Sequence, residues 1–66
     1  MRNQLRGLRV ERGWTQKELA EMLGVSRQTI IAIERGKYAP SLPLAFRIAR
    51  VLNQPLDAIF FEDGEP

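Results

Sequence analysis

Arg27, Gln28 and Thr29 stand together directly after Gly24-Val25-Ser26, and the chemistry their side chains offer is directional hydrogen bonding rather than proton or electron transfer. A guanidinium fork matches guanine O6 and N7, a carboxamide matches adenine N6 and N7, and each good pair is worth about 1–3 kcal/mol of discrimination between bases. Ile31 and Ala32, a little further on, add apolar surface of the kind that meets a thymine methyl. Nothing in the sequence assembles a catalytic constellation. The chain has no cysteine and no histidine, which removes thiolate and imidazole metal ligands and the commonest nucleophile–base pairs. It carries no glycine-rich phosphate loop, and its carboxylates are spread over polar faces. The sequence therefore predicts no enzyme, no metal and no cofactor.

Side chains of this kind can read a base edge only if a helix carries them outward on a rigid support. Thr15 and Glu18 have the spacing of a capping box and start a helix at Gln16, with Trp14 placed to pack on Leu19 as a hydrophobic staple. Leu19, Ala20 and Leu23 share its inner face, and Gly24 stops it after eight residues. Val25 is an apolar plug, and Ser26 caps a further helix that runs to about Arg35, with Ile30 and Ile33 inward and Gly36 after it. Two short helices meeting across a tight turn make a helix-turn-helix over residues 16–35, with Ala20 small where the second helix crosses. The N-terminal end of that second helix is then convex and able to enter a major groove about 12 Å wide.

The flanking sequence completes an all-α, five-helix domain over residues 1–66. A first helix is expected from about Asn3 to Arg12, with Leu5 and Leu8 on one face and Gly13 after it. A fourth follows a Ser41 cap, with Pro43 in its first turn and Leu44, Ile48, Ala49 and Leu52 at helical spacing, ending near Asn53. A short fifth helix spans Leu56 to Phe60, and the tail completes the segment 56–66. At 66 residues such a fold buries only about 60% of the surface its unfolded chain exposes, so packing and capping must supply its stability. The longest apolar stretches, such as Thr29 to Ile33, fall far short of the ~20 residues that cross a bilayer, and no signal sequence follows Met1, so a cytoplasmic location is expected.

Net charge is only +2, but its placement is uneven: residues 1–56 hold all ten Lys and Arg and four carboxylates, while the last ten hold four carboxylates and no base. A basic body suits a polyanion, although a solvated surface with an acidic tail has the same composition.

The stretch Thr15 to Tyr38, with Thr15-Gln16, Leu19-Ala20, Gly24-Val25-Ser26, Ile30, Ile33-Glu34 and Gly36, followed by Pro40, Ile48-Ala49, Leu52 and Phe60, resembles the Cro/CI-type (XRE) family of helix-turn-helix regulators over nearly the whole chain. It is also similar to the short stand-alone members of the cytolysin-operon repressor type in SRQTI, GKY, PSL, LN and PL with a late Phe. The resemblance implies a lambda-repressor-like fold in which Gln16 contacts a phosphate and braces the recognition helix, while base reading falls on Arg27 and Gln28 with Thr29, Ile31 and Ala32 behind them. It further implies that Glu34 pairs with Arg9 as a structural ion pair. The same likeness suggests a short strand pairing between the tail and Met1 to Asn3.

Ser26, Arg35, Lys37 and Tyr38 join Gln16 as expected phosphate contacts beside the recognition helix. Arg35 reads equally as a helix C-terminal cation and Tyr38 as a half-buried ring, whereas Lys37 reads first as a phosphate contact and second as a C-terminal cation; Ile31 reads equally as a core or dimer contact. A cation at Arg27 is unfavourable against the helix dipole, which argues for a partner other than the helix itself. The expected function is sequence-specific binding of a two-fold-symmetric double-stranded operator by a homodimeric regulator, most simply a repressor. Leu56, Ile59 and Phe61 are the expected dimer contacts, Phe60 closes the core, and Glu62, Asp63 and Glu65 keep that end away from DNA. The competing expectation is a protein-interaction module such as an antitoxin, which would call for a toxin-wrapping extension. No small-molecule ligand or membrane partner is expected.

Overall fold

The computed structural model describes residues 1–62, so Asp63 and Glu65 lie outside the described residues. The elements run β1 (Arg2–Asn3), α1 (Leu5–Glu11), α2 (Gln16–Leu23), α3 (Arg27–Glu34), α4 (Leu42–Leu52), α5 (Leu56–Ile59) and β2 (Phe60–Phe61). The helices begin where the side chains can satisfy the first unpaired N–H groups. Thr15 and Glu18 close the capping box in both directions, at 3.0 and 2.8 Å. Ser26 accepts from the Thr29 N–H, and Ser41 from the Leu44 N–H. Each such cap contributes about 1 kcal/mol. Gly24 ends α2 at φ 72° and Asn53 ends α4 at φ 54°, both left-handed.

Four boundaries differ from expectation, one of them the end of α1, at Glu11 with Arg12 as its C-cap. The first helix starts at Leu5 rather than Asn3, because the Asn3 side chain is committed to two other elements. Its Oδ1 accepts from the Leu5 N–H at 3.0 Å, and its Nδ2 donates to the Ile33 carbonyl at 2.8 Å, near the end of α3. The third helix ends at Glu34, with Arg35 as its C-cap. The fifth ends at Ile59, where Phe60 turns extended (φ −117°, ψ 140°) to enter β2. β1 and β2 pair antiparallel, with Arg2 opposite Phe61 and Asn3 opposite Phe60, so the terminal strand pairing is present.

Leu5, Leu19, Leu23, Ile30, Ile33, Leu44, Ile48, Leu52 and Ile59 fill the core, one or more from every helix, and Leu8, Trp14, Val25 and Phe60 close its margins. Ala20 is 3% exposed, and the Val25 N–H donates to its carbonyl at 3.0 Å, which seats the turn against the body of α2. The Arg12 guanidinium donates to the Leu52 carbonyl and pins the C-terminal end of α4. Among the described residues no buried side-chain polar atom lacks a partner.

Gly36 and Gly7 should respond oppositely to alanine. At Gly36 φ is +73° and a Cβ would stand 3.0 Å from the Met1 carbonyl oxygen; at Gly7, inside α1, it would meet only the mobile end of Gln4 at 3.3 Å. Urea unfolding should show Gly36→Ala destabilised by about 1 kcal/mol or more and Gly7→Ala stabilised by about 0.5–1 kcal/mol. A stabilised Gly36→Ala would contradict the close approach of the N-terminal strand.

Candidate nucleic-acid interface

The turn Gly24-Val25-Ser26 delivers α3 across α2 so that Arg27 and Gln28 emerge into solvent. Both are exposed, and Gln28 has no hydrogen bond or ion pair among the described residues. Thr29, Ile31 and Ala32 are half-buried. Ser26 spends its hydroxyl on the cap and on Thr29 Oγ1 at 3.1 Å, so any phosphate contact there competes with the cap.

Behind this surface lies a polar network joining three helices. Arg9 Nε of α1 donates to Glu34 Oε2 of α3 at 2.7 Å, and its Nη2 to Oε1 at 3.3 Å, a two-pronged pair whose side chains are 11% and 4% exposed. The Arg9 Nη1 donates to the Trp14 carbonyl at 2.8 Å, fixing the chain just before α2. Gln16, first residue of α2, donates from Nε2 to Glu34 Oε1 at 3.1 Å. Its Oε1 accepts a long bond, 3.4 Å, from Arg27 Nε. Glu34 is thereby neutralised and turned inward, so its carboxylate adds no uncompensated negative charge to the exposed side of α3. Gln16 in turn links the buried pair to the exposed Arg27.

Arg35, Lys37 and Tyr38 are all exposed at the far end of α3 and beyond it. Arg35 turns toward α1, where an open cleft of about 460 Å³ is lined by Arg6, Gln16, Arg27, Ile31, Glu34 and Arg35. Ile31 thus borders this open, charge-lined cleft and stays outside the core cluster.

Ile59 requires a correction. It is 0% exposed, held in the core by the return of β2 onto β1, and has no surface left for a partner. Leu56 remains half-buried, lining an apolar groove of about 120 Å³ with Met1, Ala39, Pro40, Ala45 and Phe60, and Phe61 is half-buried in β2. Sequence reasoning missed the exposure of Leu42 (61%) and Phe46 (48%) on α4. Their four-residue spacing was legible, but not which side of α4 the core would take. It also missed Arg6, one turn before Arg9, because its nearness to α3 depends on how α1 crosses that helix.

A capped helix-turn-helix with an outward, basic and carboxamide-bearing second helix defines a protein of the DNA-binding helix-turn-helix class. The comparisons place it within that class: the helix-turn-helix family model matches residues 5–59, and the chain belongs to this family, of the Cro/CI (XRE) type. It is similar to HTH-type transcriptional regulators of Methanocaldococcus jannaschii (54% identical, over 98% of this chain and 100% of that one) and Methanothermobacter thermautotrophicus (57% identical, over 97% of each). Among solved structures it is similar to the restriction-modification controller protein C.AhdI from Aeromonas hydrophila, with TM-score 0.78 and 32% identity over 86% of each chain. No helix among the described residues is long and apolar enough to cross a membrane.

The buried pair generates a stability prediction. Glu34→Ala leaves the Arg9 guanidinium buried beside an orphaned Gln16 and should cost about 3–5 kcal/mol in chemical denaturation. The double variant Arg9→Met, Glu34→Leu should recover most of that loss, since two apolar side chains of similar volume leave no charge unpaired. A Glu34→Ala variant as stable as the parent would place the pair in solvent.

Proposed function

We propose that the protein binds operator DNA as a two-fold-symmetric homodimer and represses transcription in the cytoplasm by occupying a promoter. The observation that carries this reading is the outward presentation of Arg27 and Gln28 on a helix braced from behind by Arg9, Glu34 and Gln16. In this reading Arg27 and Gln28 read base edges, Ile31 and Ala32 meet thymine methyls, and Gln16, Lys37 and Tyr38 contact phosphates. The relatives named as transcriptional regulators support it. Residues 1–66 act as one DNA-binding domain. Repression by occupancy requires nothing beyond binding.

A single recognition helix covers few base pairs, and pairing two copies about 34 Å apart, one helical turn, multiplies the sequence read. A two-fold interface needs a knob and a hole on the same surface. Leu42 and Phe46 project from the exposed face of α4, and Ala45, buried at its margin, lines the apolar groove shared with Leu56 and Phe60. We place the dimer contact there, on Leu42, Phe46 and Leu56, with Phe61 at its edge.

Two measurements test the reading. Arg27→Ala or Gln28→Ala should weaken specific binding by about 1–3 kcal/mol and relax preference at one base position, with the melting temperature unchanged; retention of full specificity by both would remove α3 as the reader. Phe46→Glu, at a half-exposed site, should leave a folded monomer in sedimentation at micromolar concentration. A Phe46→Glu dimer, or a parent that sediments as a monomer and binds DNA one chain per site, overturns this interface.

A further inference from the structure

The arginines around α1 and α3 divide into two groups by what they touch. Arg9 and Arg12 are spent inside the molecule, on Glu34 and the Trp14 carbonyl and on the Leu8 and Leu52 carbonyls. Arg6 and Arg35 are exposed and have no ion-pair partner among the described residues, yet they line the same cleft with Arg27. The one carboxylate lining that cleft, Glu34, is 4% exposed and already balanced by Arg9. The cleft therefore presents three uncompensated guanidinium groups around a neutralised floor, an arrangement that attracts an anion.

Its position says which anion. Arg27, Ile31 and Arg35 recur every fourth residue and so form one row of α3, on the side facing α1, with Arg6 across the cleft. A helix lying in the major groove has base edges beneath it and a sugar–phosphate strand along each flank. We propose that Arg6, together with Arg35, clamps backbone phosphates of the strand running along the α1 side of the recognition helix, extending the contact beyond the helix-turn-helix itself. This rests on the DNA-binding reading above. Its selectivity differs from that of Gln28: a phosphate clamp strengthens binding to every sequence alike, because all duplexes carry the same backbone.

The test measures affinity for the preferred duplex and for a scrambled one at several salt concentrations, with the parent, Arg6→Ala, Arg6→Lys and Gln28→Ala. Arg6 is exposed on α1, and alanine there favours the helix, so Arg6→Ala should fold as the parent does. Its slope of log K against log salt should fall by about 0.9 per bound chain, close to two units for a dimer. The ratio of preferred to scrambled affinity should hold, and Arg6→Lys should restore the slope. A methylphosphonate scan should find a flanking phosphate whose neutralisation weakens the parent but not Arg6→Ala. An unchanged slope for Arg6→Ala, with Gln28→Ala still lowering the ratio of preferred to scrambled affinity, overturns the clamp and leaves the DNA-binding reading standing. Absence of salt-dependent DNA binding by the parent overturns both.

Discussion

Glu34 is a carboxylate on the helix that must approach phosphates, and the structure is organised around neutralising it. Its two oxygens take up Arg9 of α1 and Gln16 of α2, so three helices meet at one charge. Such a pair stabilises little against an apolar alternative, since both groups lose water, but it fixes geometry because any slip leaves a charge unpaired. What it fixes is the angle of α3 and the position of Gln16, hence the direction from which Arg27 leaves the surface. Arg27 is thus held from behind by Gln16, which is itself held by the buried Arg9–Glu34 pair.

A chain this short has little core to hold that angle, and the C-terminal end of α3 has a second anchor beside Glu34. Asn3 joins the start of α1, the Ile33 carbonyl and, through its backbone, Phe60 of β2. The C-terminal end of α3 is therefore held twice, at Glu34 by Arg9 and Gln16 and at the Ile33 carbonyl by Asn3, while the long Arg27–Gln16 bond reaches its N-terminal end. Because β2 follows α5 directly, the strand that anchors α3 also adjoins the groove where Leu56 and Phe60 lie. The proposed dimer contact and the proposed reading surface thus share a frame, which in a dimer of that kind would set the spacing between the two copies of α3.

Features encoded within a few residues were legible in the sequence. The Thr15–Glu18 box, the Ser26 and Ser41 caps, the left-handed Gly24 and the end at Asn53 follow from local backbone hydrogen bonding, and each lies where spacing placed it. The Arg9–Glu34 pair came from family likeness and is present. Features that depend on distant segments were not legible. Asn3 looked like the start of a helix because nothing nearby shows that its amide will reach Ile33. Ile59 looked available to a partner because a helix of four residues is too short for its periodicity to tell inside from outside. Leu42 and Phe46 carry no local signal of their exposure, which depends on the face through which α4 docks. Arg6 gained meaning only once α1 and α3 enclosed a cleft.

The central claim is that α3 reads base edges and that two copies do so about a common axis. Selecting bound duplexes from a random DNA pool with the unmodified protein tests it most directly. The account predicts enrichment of one inverted repeat whose half-sites lie about one helical turn, ~34 Å, apart, each with guanine or adenine where Arg27 and Gln28 fall. A pool that stays random through successive rounds, or one that converges on a single unrepeated site, would contradict it.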